Sequence, residues 1–387
     1  MRLPLVPGVD STDPLYELVY RDHVAFQPTE THEWAEPSIL VRIIENKLAA
    51  LALRHIKTSD IVSKETVIAG PLYASALDMA LLSEEVIVAN RFALEVLKDA
   101  GFDYVVTKGP GIARFHPYPS ERPYSDLDIL VQSNQYVKIL DLLRRKVGYV
   151  ERKETQQPWR TLDLRCREAI NLVAPNGGRL DVHQRIPPWR WTRQLTFADI
   201  YERGAIESVH GVPIRMASRL DNLAISLYHI YSDRNRPGRS LMVWRDIASL
   251  LAGLDPAVVA DHLVKLKMGA WALWVLKSLP EDLDCSELVD QLGSRSGDAI
   301  PHSVSLRLSM GAASDSIVVS QACRLPPLRA VLFMVGMIFP PSAFLRARLG
   351  HRRHPYLSWW GSGLANGMAF FGQALPERPH DGRGVAR

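Results

Sequence analysis

The chain has 387 residues, 47% of them hydrophobic, which is enough for two or three domains with a sizeable core and too apolar for a disordered protein. Its net charge is only +4 with a pI near 8.9, which suits a locally basic site rather than a nucleic-acid coat. The positive charge is mostly arginine; that suits anionic ligands, although a genomic codon bias gives the same composition.

Cys166, Cys285 and Cys323 are widely spaced and form no Cys-x-x-Cys, so neither a disulfide framework nor a zinc site is indicated. A reducing cytoplasm fits. The first residues lack the apolar run of a secretion signal, and the longest apolar run, Ala330–Phe339, is too short to span a bilayer. The expectation is a cytoplasmic protein with no transmembrane segment.

Residues 1–37 are proline-rich and acidic without periodicity, and read as an arm. Residues 38–101 read as a helical lead-in. Ile39, Ile43, Ala50 and Leu53 predict one amphipathic helix capped by Ser38. The spacing of Met79, Leu82, Val86, Ala89, Ala93, Val96 and Leu97 predicts a long helix over 81–100 that Gly101 stops.

The pattern changes over 102–190. Tyr104–Val106 and Leu127–Val131 read as strands, and a helix from a Ser133 cap to about Lys146 follows. Residues 169–174 and 179–186 flank Pro-Asn-Gly-Gly and predict a hairpin. After Pro187-Pro188 the chain reads as a helical domain over 191–375, including a helix pair at 220–231 and 241–251, and 376–387 reads as a loose tail. The fold class is α+β: a small mixed β-sheet with helical N-terminal and C-terminal segments.

The chemistry concentrates between Thr107 and Val131. Side chains two apart on a strand share a face, so Asp126 and Asp128 project together while Leu127 and Ile129 enter the core. Two such carboxylates repel unless a cation sits between them, and Mg²⁺ accepts one or two carboxylates with phosphate oxygens and water. Asp-x-Asp alone fits an exposed strand face equally well. The hairpin adds a third acid, because Asp181 and His183 share one face of the second hairpin strand. Three acids around two metals form a layout for activating a hydroxyl beside a triphosphate. His183 by itself reads better as a hydrogen-bonding strand residue than as a ligand.

Lys108, Gly109 and Gly111 form a turn whose backbone can approach an anion, and Lys108 and Arg122 can neutralise phosphate oxygens. No Gly-Lys-Ser/Thr follows, so the turn is not a Walker loop. Trp159, Trp189, Trp191, Trp244, Trp271 and Trp274 read mainly as core residues. Arg234, Arg236 and Arg239 lie in a loop that could reach an anion. Arg346, Arg348, Arg352 and Arg353 beside the apolar run read as the basic end of a buried helix, with a membrane surface as the other reading.

These residues resemble the nucleotidyltransferase superfamily with a DNA polymerase beta-like fold, and more narrowly the bacterial uncharacterised nucleotidyltransferase family. The resemblance rests on Lys108-Gly109, on Arg122 ahead of Asp126-Leu127-Asp128, and on Asp181-Val182-His183. It continues with His229, with Val243-Trp244-Arg245-Asp246-Ile247 and with Phe339-Pro340-Pro341, covering about 40 to 370. Gly-Pro-Gly stands where the superfamily usually has Gly-Gly or Gly-Ser.

The resemblance implies transfer of a nucleoside monophosphate from an NTP, with ATP favoured, to a hydroxyl or similar acceptor on a small molecule, peptide or protein, with release of pyrophosphate. It implies Mg²⁺, with two ions expected and Mn²⁺ as a substitute. Asp126, Asp128 and Asp181 would bind metal, Asp181 would help deprotonate the acceptor, and Lys108, Gly109, Gly111 and Arg122 would hold the triphosphate. Asp246 reads either as a cleft residue or as a salt-bridge acid. A catalytically inactive nucleotide-binding regulator or scaffold is the alternative, and the low net charge disfavours a nucleic-acid polymerase. Alanine at Asp126 or Asp128 should abolish transfer with little loss of fold.

Overall fold

The structure is a computed structural model. It describes Leu15, Val19, 37–58, 66–152, Leu164, 167–186, 195–233, 240–277, 285–296, 327–349 and 354–361. The expectations for the rest of the N-terminal arm, for Trp159, Trp189 and Trp191, for the Arg234, Arg236 and Arg239 loop and for the tail lie outside these residues. The chain divides into two compact units, Met1–Gln156 with Arg167–Pro301, and Gln157–Cys166 with His302–Arg387.

The first unit opens with helices α1 (Pro37–Glu45) and α2 (Ala49–Thr58). One helix was expected here. Lys47 takes a left-handed φ of 61° and breaks the run, so Ile39 and Ile43 are buried from one helix and Leu51–Leu53 from the next. Helix α3 (Thr66–Asp99) is longer than its periodic stretch and buries Leu72, Val86, Ile87, Ala93, Leu94 and Leu97. It stops at Gly101, whose φ of +72° lets Phe102 N–H turn back to the Leu97 carbonyl.

Next come β1 (Tyr104–Thr107), the short helix α4 (Gly109–Ala113), β2 (Leu127–Val131), α5 (Tyr136–Val147), β3 (Val150–Glu151), β4 (Ala169–Val173) and β5 (Arg179–His183). Helix α5 lays Tyr136, Ile139, Leu140 and Leu143 on the sheet and ends at Gly148, φ +84°. Ser133 does not cap it; its hydroxyl donates to the Gln184 carbonyl at 2.6 Å and ties α5 to the end of β5.

Helix α6 (Phe197–Arg203) leads into β6 (Ala205–Val209) and β7 (Val212–Met216). The stretch after Pro187-Pro188 was expected to be wholly helical, and this hairpin corrects it. His210 and Gly211 both have positive φ, 48° and 76°, the geometry of a two-residue hairpin turn. The resulting seven-stranded mixed sheet runs β3-β4-β5-β2-β1-β7-β6. β1 is antiparallel to β2 and parallel to β7, while β2 is parallel to β5.

Helices α7 (Arg219–Asp233), α8 (Ser240–Leu251), α9 (Pro256–Lys265), α10 (Gly269–Leu276) and α11 (Ser286–Ser296) complete this unit. α7 and α8 pack together through buried Leu223, Leu227, Trp244, Ile247 and Leu250. In the second unit, α12 (Pro327–Ile338) and α13 (Ser342–Leu349) are followed by a helical stretch at 355–361. No single helix among the described residues is long and apolar enough to cross a membrane.

Candidate active site

The register of four strands builds the site. Thr107 pairs with Asp128, Asp128 with Asp181, and Asp181 with Asn171, so these four form a row across β1, β2, β5 and β4. Directly paired residues project from the same face of a sheet. Asp126, expected on the strand, sits in the bend just before β2 and lines the cleft over that face. A cavity of about 250 Å³ opens there, lined by Asp126, Asp128, Asp181, Lys108, Gly109 and Arg122, with Asn46, Lys47, Ser226, His229, Met242, Val243 and Asp246 among the other lining residues. The sequence-predicted acids therefore meet in one cleft. Gly111 does not line it: it is buried, and its carbonyl accepts from Asn222 Nδ2 at 3.1 Å.

The Lys108 turn is held from below. Lys108 has φ 52° and ψ −147°, a region that costs a non-glycine residue about 1–3 kcal/mol. Its N–H donates to Asn222 Oδ1 at 3.0 Å, and its ammonium donates to Asp128 Oδ1 at 2.8 Å. These two bonds over-determine the strained residue. Gly109 has a positive φ of 33°, a backbone conformation that favours glycine, although a Cβ there would meet the Tyr124 ring only at an ordinary contact distance of 3.5 Å. Tyr124 is held in turn by its N–H donating to Ser83 Oγ at 2.9 Å, while the single Ser83 hydroxyl proton is placed between the Met79 carbonyl at 2.8 Å and the Tyr124 carbonyl at 3.1 Å. Helix α3 thus fixes the entry to β2 and places Asp126.

Burial alone would raise the Asp128 carboxyl, but Lys108 and a 2.8 Å bond to His183 Nε2 outweigh it and hold Asp128 well below the carboxylate range. Burial would also lower the Lys108 ammonium, and the Asp128 charge reverses that. Burial and the neighbouring charge of Asp128 raise Asp126. The same causes, with Asp126 added, push Asp181 up to about 7, and Asn171 Nδ2 donates to it. Donor atoms of Asp128, Asp181 and His183 all lie within 4.8 Å of one another, so they could hold one cation. Asp126 is outside that tightest group, and His183, read as a strand residue, is inside it.

A second charged cluster closes the cleft. Arg122 donates from Nη2 to Asp246 Oδ2 at 2.9 Å and from Nε at 3.1 and 3.2 Å. That leaves Nη1 without a hydrogen-bond partner among the described residues. His116 Nε2 lies 2.9 Å from Asp246 Oδ1, with both side chains almost fully buried. Burial lowers the His116 pKa, so the neutral ring donates from Nε2. Burial opposes ionisation of Asp246, yet Arg122 and His116 keep its carboxyl below the usual range. Asp246 is therefore both a cleft residue and a salt-bridge acid, the two readings the sequence left open.

Sequence reasoning missed Asn171, Asn222 and His116. Only Asn171 carried a signal, since counting back through the Pro-Asn-Gly-Gly hairpin places it opposite Asp181.

Residues 35–269 match the family model described as "Uncharacterised nucleotidyltransferase". The match takes in the whole sheet, the Lys108 turn, the three acids and Asp246. It ends before Phe339-Pro340-Pro341, so the resemblance read out to about 370 is narrower in this respect. No match was found among curated proteins. With more than half the chain matched and its acids facing one cleft, this protein belongs to the uncharacterised nucleotidyltransferase family.

Proposed function

We propose that the chain is a divalent-metal-dependent nucleotidyltransferase that moves a nucleoside monophosphate from an NTP, ATP favoured, to a hydroxyl or similar acceptor on a small molecule, peptide or protein. The observation that carries this reading is the row of carboxylates on the same cleft wall as Lys108 and Arg122. Acceptor oxygen attack on the α-phosphorus breaks the bond to pyrophosphate, and the acceptor proton must leave. Asp181 is the acid assigned to help take that proton; in the metal-free cleft burial and the charges of Asp128 and Asp126 push it up to about 7, and a cation bound beside it would bring it back down. Lys108 and the open Nη1 of Arg122 neutralise triphosphate oxygens, with Asp246 and His116 fixing the guanidinium plane.

The donor set fits a cation. Asp126, Asp128, Asp181 and His183 supply hard oxygens and one imidazole, and the raised Asp126 and Asp181 carboxyls mark a site with more acid than its own cations neutralise. Mg²⁺ is favoured, with two ions expected and Mn²⁺ able to substitute. Bound there, the metal supplies charge neutralisation for the phosphates and a lower pKa for the acceptor hydroxyl.

The test is binding followed by turnover. The protein should bind NTP in the presence of Mg²⁺, and Lys108→Ala or Arg122→Ala should weaken binding by about tenfold or more, as loss of a charge-assisted bond implies. Labelled NTP with candidate acceptors should give pyrophosphate. No binding of any NTP, with or without metal, would sink the reading. A second reading is a nucleotide-binding regulator without turnover. The Lys108–Asp128 ion pair favours it, because an ammonium occupies a carboxylate oxygen wanted by the metal. Binding with no pyrophosphate across all NTPs and acceptors would select it.

A further inference from the structure

The described part of the second unit carries an apolar face turned outward. On α12, Leu328, Val331, Leu332, Val335 and Ile338 are exposed, Leu328 at 73% and Val331 at 60%, whereas Phe333 is buried. At 100° per residue the five exposed side chains fall on one side of the helix and Phe333 on the other. Phe339, Leu357 and Trp360 extend the face, with Phe339 edge-on to Trp360 at 6.3 Å. The face stands on a firm base: Leu345 is buried, and Phe344 packs edge-on to Trp359 at 5.7 Å. Trp359 and Trp360 donate to the Met337 and Ile338 carbonyls at 2.9 and 2.7 Å, satisfying the end of α12.

The charge along this stretch of the sequence has one sign. From Ser316 to Pro376 the sequence contains no Asp or Glu and six arginines, at 324, 329, 346, 348, 352 and 353. We infer that α12 and the 355–361 segment lie on an anionic lipid surface, with the α12 face in the acyl boundary and the arginines meeting lipid phosphates. Twelve residues span about 18 Å at 1.5 Å each, well short of the roughly 30 Å hydrocarbon core, so α12 lies along the membrane rather than across it. Trp and Tyr beside the apolar stripe suit the headgroup level. A second copy is the poorer occupant. A two-fold interface would set this patch on itself, bringing together arginine sets with no acid in the segment to pair them.

The test uses the full chain and sedimentation with vesicles. Vesicles of phosphatidylcholine mixed with phosphatidylglycerol should carry the protein down at low salt, and raised salt or pure phosphatidylcholine should reduce this by about tenfold or more. Val331→Asp combined with Val335→Asp, both at exposed positions, should abolish the capture while leaving the unfolding temperature unchanged. Arg346→Ser should weaken it and blunt its salt dependence. Three results would each overturn the inference: no capture by anionic vesicles at low salt, capture indifferent to the double substitution, or a doubled solution mass that the double substitution reverses without any vesicle capture.

Discussion

Asp181 links the cleft to pH in a way that can be measured without knowing the acceptor. Burial first, then the charges of Asp128 and Asp126, push its carboxyl from 3.8 to about 7. Between those values the folded, metal-free chain holds a proton that the unfolded chain has released. Stability therefore falls as pH rises from about 4 to about 7 and is flat above that. A shift of about 3 units at roughly 1.36 kcal/mol each gives about 4 kcal/mol, an upper figure because neighbouring charges titrate together. Asp128 acts in the opposite sense and in another window: its depressed carboxyl contributes stability that is lost only below about pH 4. The perturbation is Asp181→Asn, followed by denaturant unfolding in chelator from pH 5 to 8. The variant should gain on the wild type as pH rises, reaching about 2–4 kcal/mol at pH 8. Mg²⁺ or Mn²⁺ should stabilise the wild type more at pH 7.5 than at pH 5.5, and the variant much less at either. A wild-type-minus-variant difference that stays flat with pH, or a metal response equal at both pH values, would refute the reasoning.

Alanine at Asp126 and at Asp128 should both abolish transfer but should differ in stability, because Asp128→Ala strands the buried Lys108 ammonium at a cost of about 3–5 kcal/mol, whereas among the described residues Asp126 makes no such direct ion pair. Calorimetric unfolding of the two variants checks this. Asp246→Asn should raise the KM for NTP by about tenfold with a smaller change in kcat, as expected when Arg122 loses a charged orienting partner but the reacting atoms are untouched. Equal losses in kcat and kcat/KM would instead place Asp246 at the reacting atoms. Asn222→Ala removes the acceptor of Lys108 N–H and the donor to the Gly111 carbonyl, and should cost about 1–3 kcal/mol and weaken NTP binding, read by melting and calorimetry. Removing divalent metal should suppress NTP binding, since a triphosphate would otherwise enter a cleft already lined by Asp126, Asp128, Asp181 and Asp246.

The strands that carry the acids were legible because period-two burial constrains register. Leu127, Ile129 and Val131 on β2, and Leu180 and Val182 on β5, enter the core, and a shift of one residue would turn Asp128 and Asp181 into it in their place. With that fixed, Asp128 and Asp181 have one face left to occupy. The β6–β7 hairpin obeyed the same rule on one strand only. Val212, Ile214 and Met216 alternate inward, but β6 exposes both Ala205 and Ile206, so half of the periodic signal was absent. The break at Lys47 had no signal, because a single lysine in the left-handed region leaves helical spacing intact on either side.

The electrostatic half of the site was not legible, and the reason is physical. His116 and Arg122 meet Asp246 across 130 and 124 positions, a contact set by tertiary packing rather than by any local repeat. Hydrophobic periodicity places a helix face, but it does not say which charge on a neighbouring segment that face will meet. Trp244 and Ile247 bury α8 against α7, and Asp246 between them is then carried to the cleft in the dry interior, where an unpaired carboxylate would be untenable. The loop carrying His116 and Arg122 supplies both partners. The acid that looked ambiguous in the sequence is thereby fixed as the residue that orients Arg122, because its carboxylate is almost fully buried between Arg122 and His116.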